Sequence, residues 1–119
     1  MERIRSLQYQ GKLINYFDYR GLEDEASFLE MLHAASDFLE NQNLQTLHLV
    51  NLTGVYITRG LITPILSEID KLKPFVLKEA ILGITGGKRI LFQTYTTFFP
   101  GKIRSFVDET EALEWLVRG

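Results

Sequence analysis

At 119 residues the chain has room for one domain and one core, and its 45% hydrophobic and 24% charged residues are those of a folded protein rather than a disordered one. Thirteen basic against fifteen acidic residues give a net charge of −2, which argues against a nucleic-acid partner, and the absence of cysteine excludes disulfides, thiolate metal sites and cysteine catalysis. No apolar run approaches the roughly eighteen residues of a membrane span, and the first ten residues lack the apolar centre of a signal peptide, so the expectation is a cytoplasmic protein without stable membrane insertion.

Arg3 to Gln10 and Leu13 to Tyr19, separated by Gly11-Lys12, predict an amino-terminal hairpin. After Gly21 the acidic cluster Glu23-Asp24-Glu25 suits the positive end of a helix. Phe28, Leu32, Ala35 and Leu39 then recur at helical spacing, predicting a helix over 23–40 that Asn41-Gln42-Asn43 ends. Thr46 to Leu52 is a short apolar run between turn signals, hence a buried central strand closed by Thr53-Gly54.

A second helix follows from Thr58, carried by Leu61, Ile62, Ile65, Leu66, Ile69 and Leu72, with Thr58 as its amino-terminal cap. Pro64 leaves an alternative in which Thr63-Pro64 is the true start. Lys73-Pro74 ends this helix and Ala80 to Ile84 is a third buried strand. Residues 90–99 have strand-like composition, yet Leu91, Tyr95 and Phe98 keep helical spacing, and a helix here supplies the crossover that two parallel strands need. Ile103 to Val107 reads as a last strand, and Asp108-Glu109-Thr110-Glu111 as a capping box before a final helix with Ala112, Leu113, Trp115 and Leu116.

The expected architecture is a single α/β domain over 1–119. It has a mixed, mostly parallel sheet, an amino-terminal hairpin and about four covering helices. Loops at the carboxyl ends of such strands gather on one rim, where ligands tend to bind. That rim should collect Asp18, Arg20, Asn51, Thr53, Thr58, Arg59, Thr85, Lys88, Arg89 and Asp108.

Asn51-Leu52-Thr53-Gly54-Val55, Tyr19-Arg20-Gly21-Leu22, Gly83-Ile84-Thr85-Gly86 and the closing Ala112-Leu113-Glu114-Trp115-Leu116 together resemble the STAS family, named after sulfate transporters and anti-sigma-factor antagonists. The resemblance extends over nearly the whole chain and points to the stand-alone bacterial relatives also compared with CRAL-TRIO lipid carriers. In the antagonists a serine in an Asp-Ser-Ser-Gly turn accepts a phosphate and switches partner binding. The matching turn here is Ile57-Thr58-Arg59-Gly60, which lacks the aspartate, lies closer to the strand, and offers Thr58 as the hydroxyl in the phosphoacceptor's place.

Three groups of residues are candidates for function. Thr58, Arg59, Asn51 and Thr53 form a possible partner-binding or phosphoacceptor surface. Thr85, Gly86, Gly87, Lys88 and Arg89 are a possible anion site, although a P-loop needs four residues between its first glycine and the Gly-Lys pair and then Ser or Thr; here three intervene and Arg89 follows. Phe92, Tyr95, Phe98 and Phe99 are core residues by type, or the wall of an apolar ligand pocket. His33 and His48 have no ligand spacing, and no nucleophile, base and orienter can be assembled, so neither metal nor cofactor nor catalysis is expected. The reading is a regulatory module that binds a protein through the rim; the alternative is a carrier of a small apolar or lipid-like ligand between sheet and helices. Nothing in the sequence singles out a dimer surface.

Overall fold

Strands β1 (Ile4–Tyr9) and β2 (Lys12–Asp18) make the expected antiparallel hairpin. Its two-residue turn has Gln10 at φ 49° and Gly11 at φ 80°, the double positive φ that matches the twist of the flanking strands. The computed structural model describes residues 2–97 and 99–118, with the side chain of Ile69 also outside the description.

Helix α1 (Glu25–Gln42) begins two residues later than the periodicity predicts, because Asp24 is its cap: the carboxylate accepts from the Ser27 N–H at 2.7 Å. Asn43, at φ 51°, ends the helix in the left-handed conformation and donates its N–H to the Leu39 carbonyl. Strand β3 (Thr46–Asn51) follows, then α2 (Arg59–Leu72), a single 3₁₀ turn at Lys73–Phe75, and β4 (Val76–Leu82). Pro64 therefore lies inside α2 rather than at its start. Helix α3 (Lys88–Thr97), β5 (Ile103–Phe106) and α4 (Glu109–Val117) complete the chain. Residues 88–97 are helical despite their threonines and aromatics, as the crossover argument requires. The Asp108 carboxylate caps α4 through the Thr110 N–H at 3.0 Å.

The five strands lie in sequence order, β1 antiparallel to β2 and every later neighbour parallel. Stepping always in one direction with right-handed crossovers puts every crossover helix on one face of the sheet. Accordingly α1 and α2 bury Phe28, Met31, Leu32, Leu39 and Leu61 against Phe17 and Tyr19, and α3 lies beside the Val76, Ile81, Phe99 and Ile103 cluster. Helix α4 comes after the last strand and is free to cover the other face, where Ala112 and Leu116 pack on Ile14, Tyr16, Leu47, Leu49, Ala80 and Leu82. Lys78 fastens its end by donating to the carbonyls of Trp115 and Arg118, both at 2.8 Å, with its ammonium over the Trp115 ring.

The exits of β3 and β4 run against each other. Leu52 donates its N–H to the Leu82 carbonyl at 2.9 Å, and a Cβ on Gly83 (φ 88°) would lie 2.4 Å from the Thr53 backbone nitrogen. Glycine is the residue that fits. Gly83→Ala should cost at least about 2 kcal/mol in urea unfolding, through strain and overlap together, whereas Gly86→Ala, at φ 56° with open space around it, should cost about 1 kcal/mol.

Candidate functional site

The carboxyl ends of β2 to β5 do converge on one rim, but its residues have divided roles. Asp18 is buried and holds Arg20 through Nε and Nη2, both at 2.9 Å, and through the Arg20 backbone N–H at 3.0 Å. Arg3 reaches across from the start of β1 to the carbonyls of Asp18 and Arg20. Asn51 is buried too: Nδ2 donates to the Tyr16 hydroxyl on the α4 face, and Oδ1 accepts from the Thr53 N–H, both at 3.0 Å. It shapes the turn after β3 and presents no side chain to solvent.

Thr58 precedes α2 and its carbonyl accepts from Leu61 N–H, as a cap residue's should. Its hydroxyl goes elsewhere, donating to Glu25 Oε1 at 2.5 Å and so joining the start of α2 to the start of α1. The cap expected of the side chain is replaced by a cross-link. The Glu25 carboxylate also lies over Gly60, where a Cβ would meet its oxygens at 2.7 Å. A phosphate on Thr58 would face that carboxylate, with Arg59 exposed beside it.

In the turn before α3, the N–H groups of Lys88, Arg89 and Ile90 donate to the carbonyls of Thr85, Gly86 and Gly87. Lys88 Nζ donates to the Leu52 carbonyl at 3.0 Å, tying the start of α3 to the end of β3, and burial holds its pKa below the usual lysine range.

Beneath that contact, α1, α2 and α3 border a half-open cavity of about 100 Å³ against β2, β3 and β4. Its walls are apolar: Phe17, Leu32, Leu39, Val50, Ile65 and Ile81 among others, with Leu91 and Phe92 from α3. Of the four aromatic candidates, Phe92 and Tyr95 line it, Phe99 is buried in the adjoining cluster, and Phe98 lies outside the described residues.

The cavity also meets a line of polar groups that the sequence did not reveal as a set. Glu79, on β4 and buried, accepts from the Tyr95 hydroxyl at Oε2 (2.9 Å) and contacts His48 Nδ1 at Oε1 (3.4 Å). His48 Nε2 lies 3.0 Å from Thr46 Oγ1, which already accepts from Asn15 Nδ2 at 2.9 Å. The Thr46 hydroxyl hydrogen is then available to Nε2, leaving Nδ1 to carry a hydrogen toward Glu79. Tyr19 lines the same cavity; its hydroxyl makes no hydrogen bond among the described residues and is not a sealed, unpaired oxygen, so it touches open space. Burial and then the Glu79 charge push both phenols well above the ordinary tyrosine pKa. The sequence signal for Glu79 is a carboxylate alternating with the core residue Ile81, one position before the predicted strand of Ala80 to Ile84 and inside β4.

No protein-family model and no curated protein sequence matches this chain. Among solved structures it is similar to an uncharacterised protein of the DUF3478 family with a SpoIIAA-like fold from Shewanella loihica PV-4. The TM-score is 0.67 at 18% identity, over 95% of this chain and 91% of that one. The fold is STAS-like. Within it, the cavity sits under the three crossover helices and α4 stands apart on the opposite face. Among the described residues no group of three His, Asp or Glu is placed to hold a metal, and no helix is long and apolar enough to cross a membrane.

The Arg20 hydrogen bonds hold the Asp18 pKa below the usual carboxylate range. Such a group contributes stability that is present above its unfolded pKa of about 3.9 and lost as pH falls through the folded value. Arg20→Gln should therefore destabilise the protein by about 1 kcal/mol at pH 7, since Arg20 is half exposed, and the gap to wild type should close as pH falls below about 4. Urea unfolding across pH 3 to 7 measures both arms.

Proposed function

We propose that this STAS-like chain is a non-catalytic binding module that takes a small apolar molecule into the cavity beneath α1, α2 and α3. The observation that carries the reading is the cavity itself, about 100 Å³ of space between the three crossover helices and the sheet, walled mainly by apolar side chains. Interiors of this kind are normally filled, and unfilled apolar space forfeits dispersion contacts that a ligand would restore. Engineered apolar cavities of about 150 Å³ stay dry and take up benzene or xenon. Carrying or sensing such a ligand needs no reaction, and the hydroxyl beside His48, that of Thr46, is buried and is not part of the cavity lining.

Xenon under pressure should shift the methyl NMR signals of Leu32, Val50 and Ile81 while leaving those of Leu47 and Leu49 on the α4 face unmoved. Ala35, buried and on the cavity wall, offers a way to fill it. Ala35→Leu should abolish the xenon shifts and leave stability unchanged or raised by about 1 kcal/mol, whereas a site with no spare room would lose about 1–3 kcal/mol from overpacking.

A second reading, a protein partner at the rim, is favoured by the exposure of Tyr56 (82%) and Ile90 (73%) in the segments after β3 and β4, beside the exposed cations Arg59 and Arg89. A solvated aromatic with neighbouring arginine is the composition of an interface anchor. If the rim binds a partner, Tyr56→Ser with Arg59→Glu should lose the protein that wild type retains in a pull-down, with the fold unchanged by circular dichroism.

A further inference from the structure

Resting on the cavity reading, the polar groups of the same space narrow the ligand's chemistry. We infer that the cavity is built for a neutral alcohol: a short apolar body carrying one hydroxyl, which donates to the Glu79 carboxylate and accepts from the Tyr19 phenol.

An ionised carboxylate accepts hydrogen bonds and donates none. Glu79 is 4% exposed, and its two oxygens meet Tyr95 and His48, each of which leaves lone pairs for another donor. Tyr19 is 5% exposed as a residue, and its hydroxyl, which makes no hydrogen bond among the described residues and is not a sealed, unpaired oxygen, touches open space and has a hydrogen to give there. Both residues line the one cavity. A ligand hydroxyl is donor and acceptor at once, so it satisfies both. A carboxylate ligand would place like charge beside Glu79 in a space of low dielectric. An ammonium ligand would be attracted by Glu79, but it would lose its hydration on burial and offer Tyr19 no acceptor. Lys88 is the remaining charged group on the lining, and it is half-buried at the start of α3 with its ammonium already donating to Leu52, so it does not decide what sits against Glu79.

The test titrates the full chain with 1-butanol, n-butylamine, butyrate and xenon, followed by methyl and amide NMR shifts of the lining residues. The butanol complex should be at least about tenfold tighter than those of the amine and the acid. Tyr19→Phe, which keeps the ring and its packing on Phe28, should weaken butanol about tenfold, the size of one buried hydrogen bond, while leaving xenon uptake intact. Glu79→Gln should reduce the discrimination against butyrate. Butyrate or butylamine binding as tightly as butanol, or Tyr19→Phe leaving butanol unchanged, overturns the alcohol assignment with the cavity reading standing. Xenon and all three probes failing to move the lining residues overturns both.

Discussion

A carboxylate in the middle of a sheet and under three helices has to be met by donors, and the arrangement around Glu79 follows from that requirement. An isolated buried charge costs several kcal/mol. Here His48 approaches from the neighbouring strand and Tyr95 from α3, and His48 is in turn oriented by Thr46, Asn15 and, beyond them, Gln42 and Ser6. The result is a line of polar side chains crossing the sheet from β1 to α3. Among the described residues no buried side-chain nitrogen or oxygen is left without a partner, so this line is satisfied as it stands. Glu68 on α2 repeats the logic on a smaller scale, accepting from Ser36 of α1 at 2.6 Å with Lys71 and His33 at its outer edge.

The same topology explains why space is left over on one face. Three crossover helices must share the width of four strands, and α2 is held toward α1 by the Thr58–Glu25 and Ser36–Glu68 contacts. Helix α3 then stands over β4 and β5 with the cavity between it and the α1–α2 pair. On the opposite face one helix suffices, and its residues Ala112 and Leu116 are almost wholly buried.

Much of the fold was legible because the apolar pattern and the turn chemistry agree. Leu47, Leu49 and Val50 lie between turn signals. Phe28, Leu32, Ala35 and Leu39 keep a helical period. Gly11 closes the hairpin. For residues 90–99 local propensity pointed to strand and the need for a crossover between parallel strands decided for helix, which the structure has over Lys88–Thr97. The site was less legible because its members are far apart in sequence and each has an ordinary local explanation. Tyr19 reads as the end of a hairpin strand, His48 as a lone histidine in a core strand, and Glu79 as a charge before a strand. Only the parallel register, which sets His48 opposite Glu79, brings two of them together. Asn51 was readable as a strand-end residue at the rim and Thr58 as a cap, yet the direction of their side chains depends on Tyr16 and Glu25, which periodicity cannot place.

The walls of the cavity are not equally firm. Helices α1 and α2 insert Phe28, Leu32, Leu39 and Leu61 fully into the core, so moving either exposes a large apolar area. Helix α3 contributes no fully buried side chain among its described residues. It is held by the Lys88–Leu52 contact near its start, the Tyr95–Glu79 contact near its end, and half-buried Leu91 and Phe92 between them. A hydrogen bond to a charged group contributes about 1.5–3 kcal/mol, comparable with burying one aliphatic side chain. Any group that competes with Tyr95 for Glu79 therefore acts on the weakest wall of the pocket, and α3 carries Lys88, Arg89 and Ile90 at the rim. The rim residues Lys88, Arg89 and Ile90 and the lining residues Leu91, Phe92 and Tyr95 thus belong to one short helix.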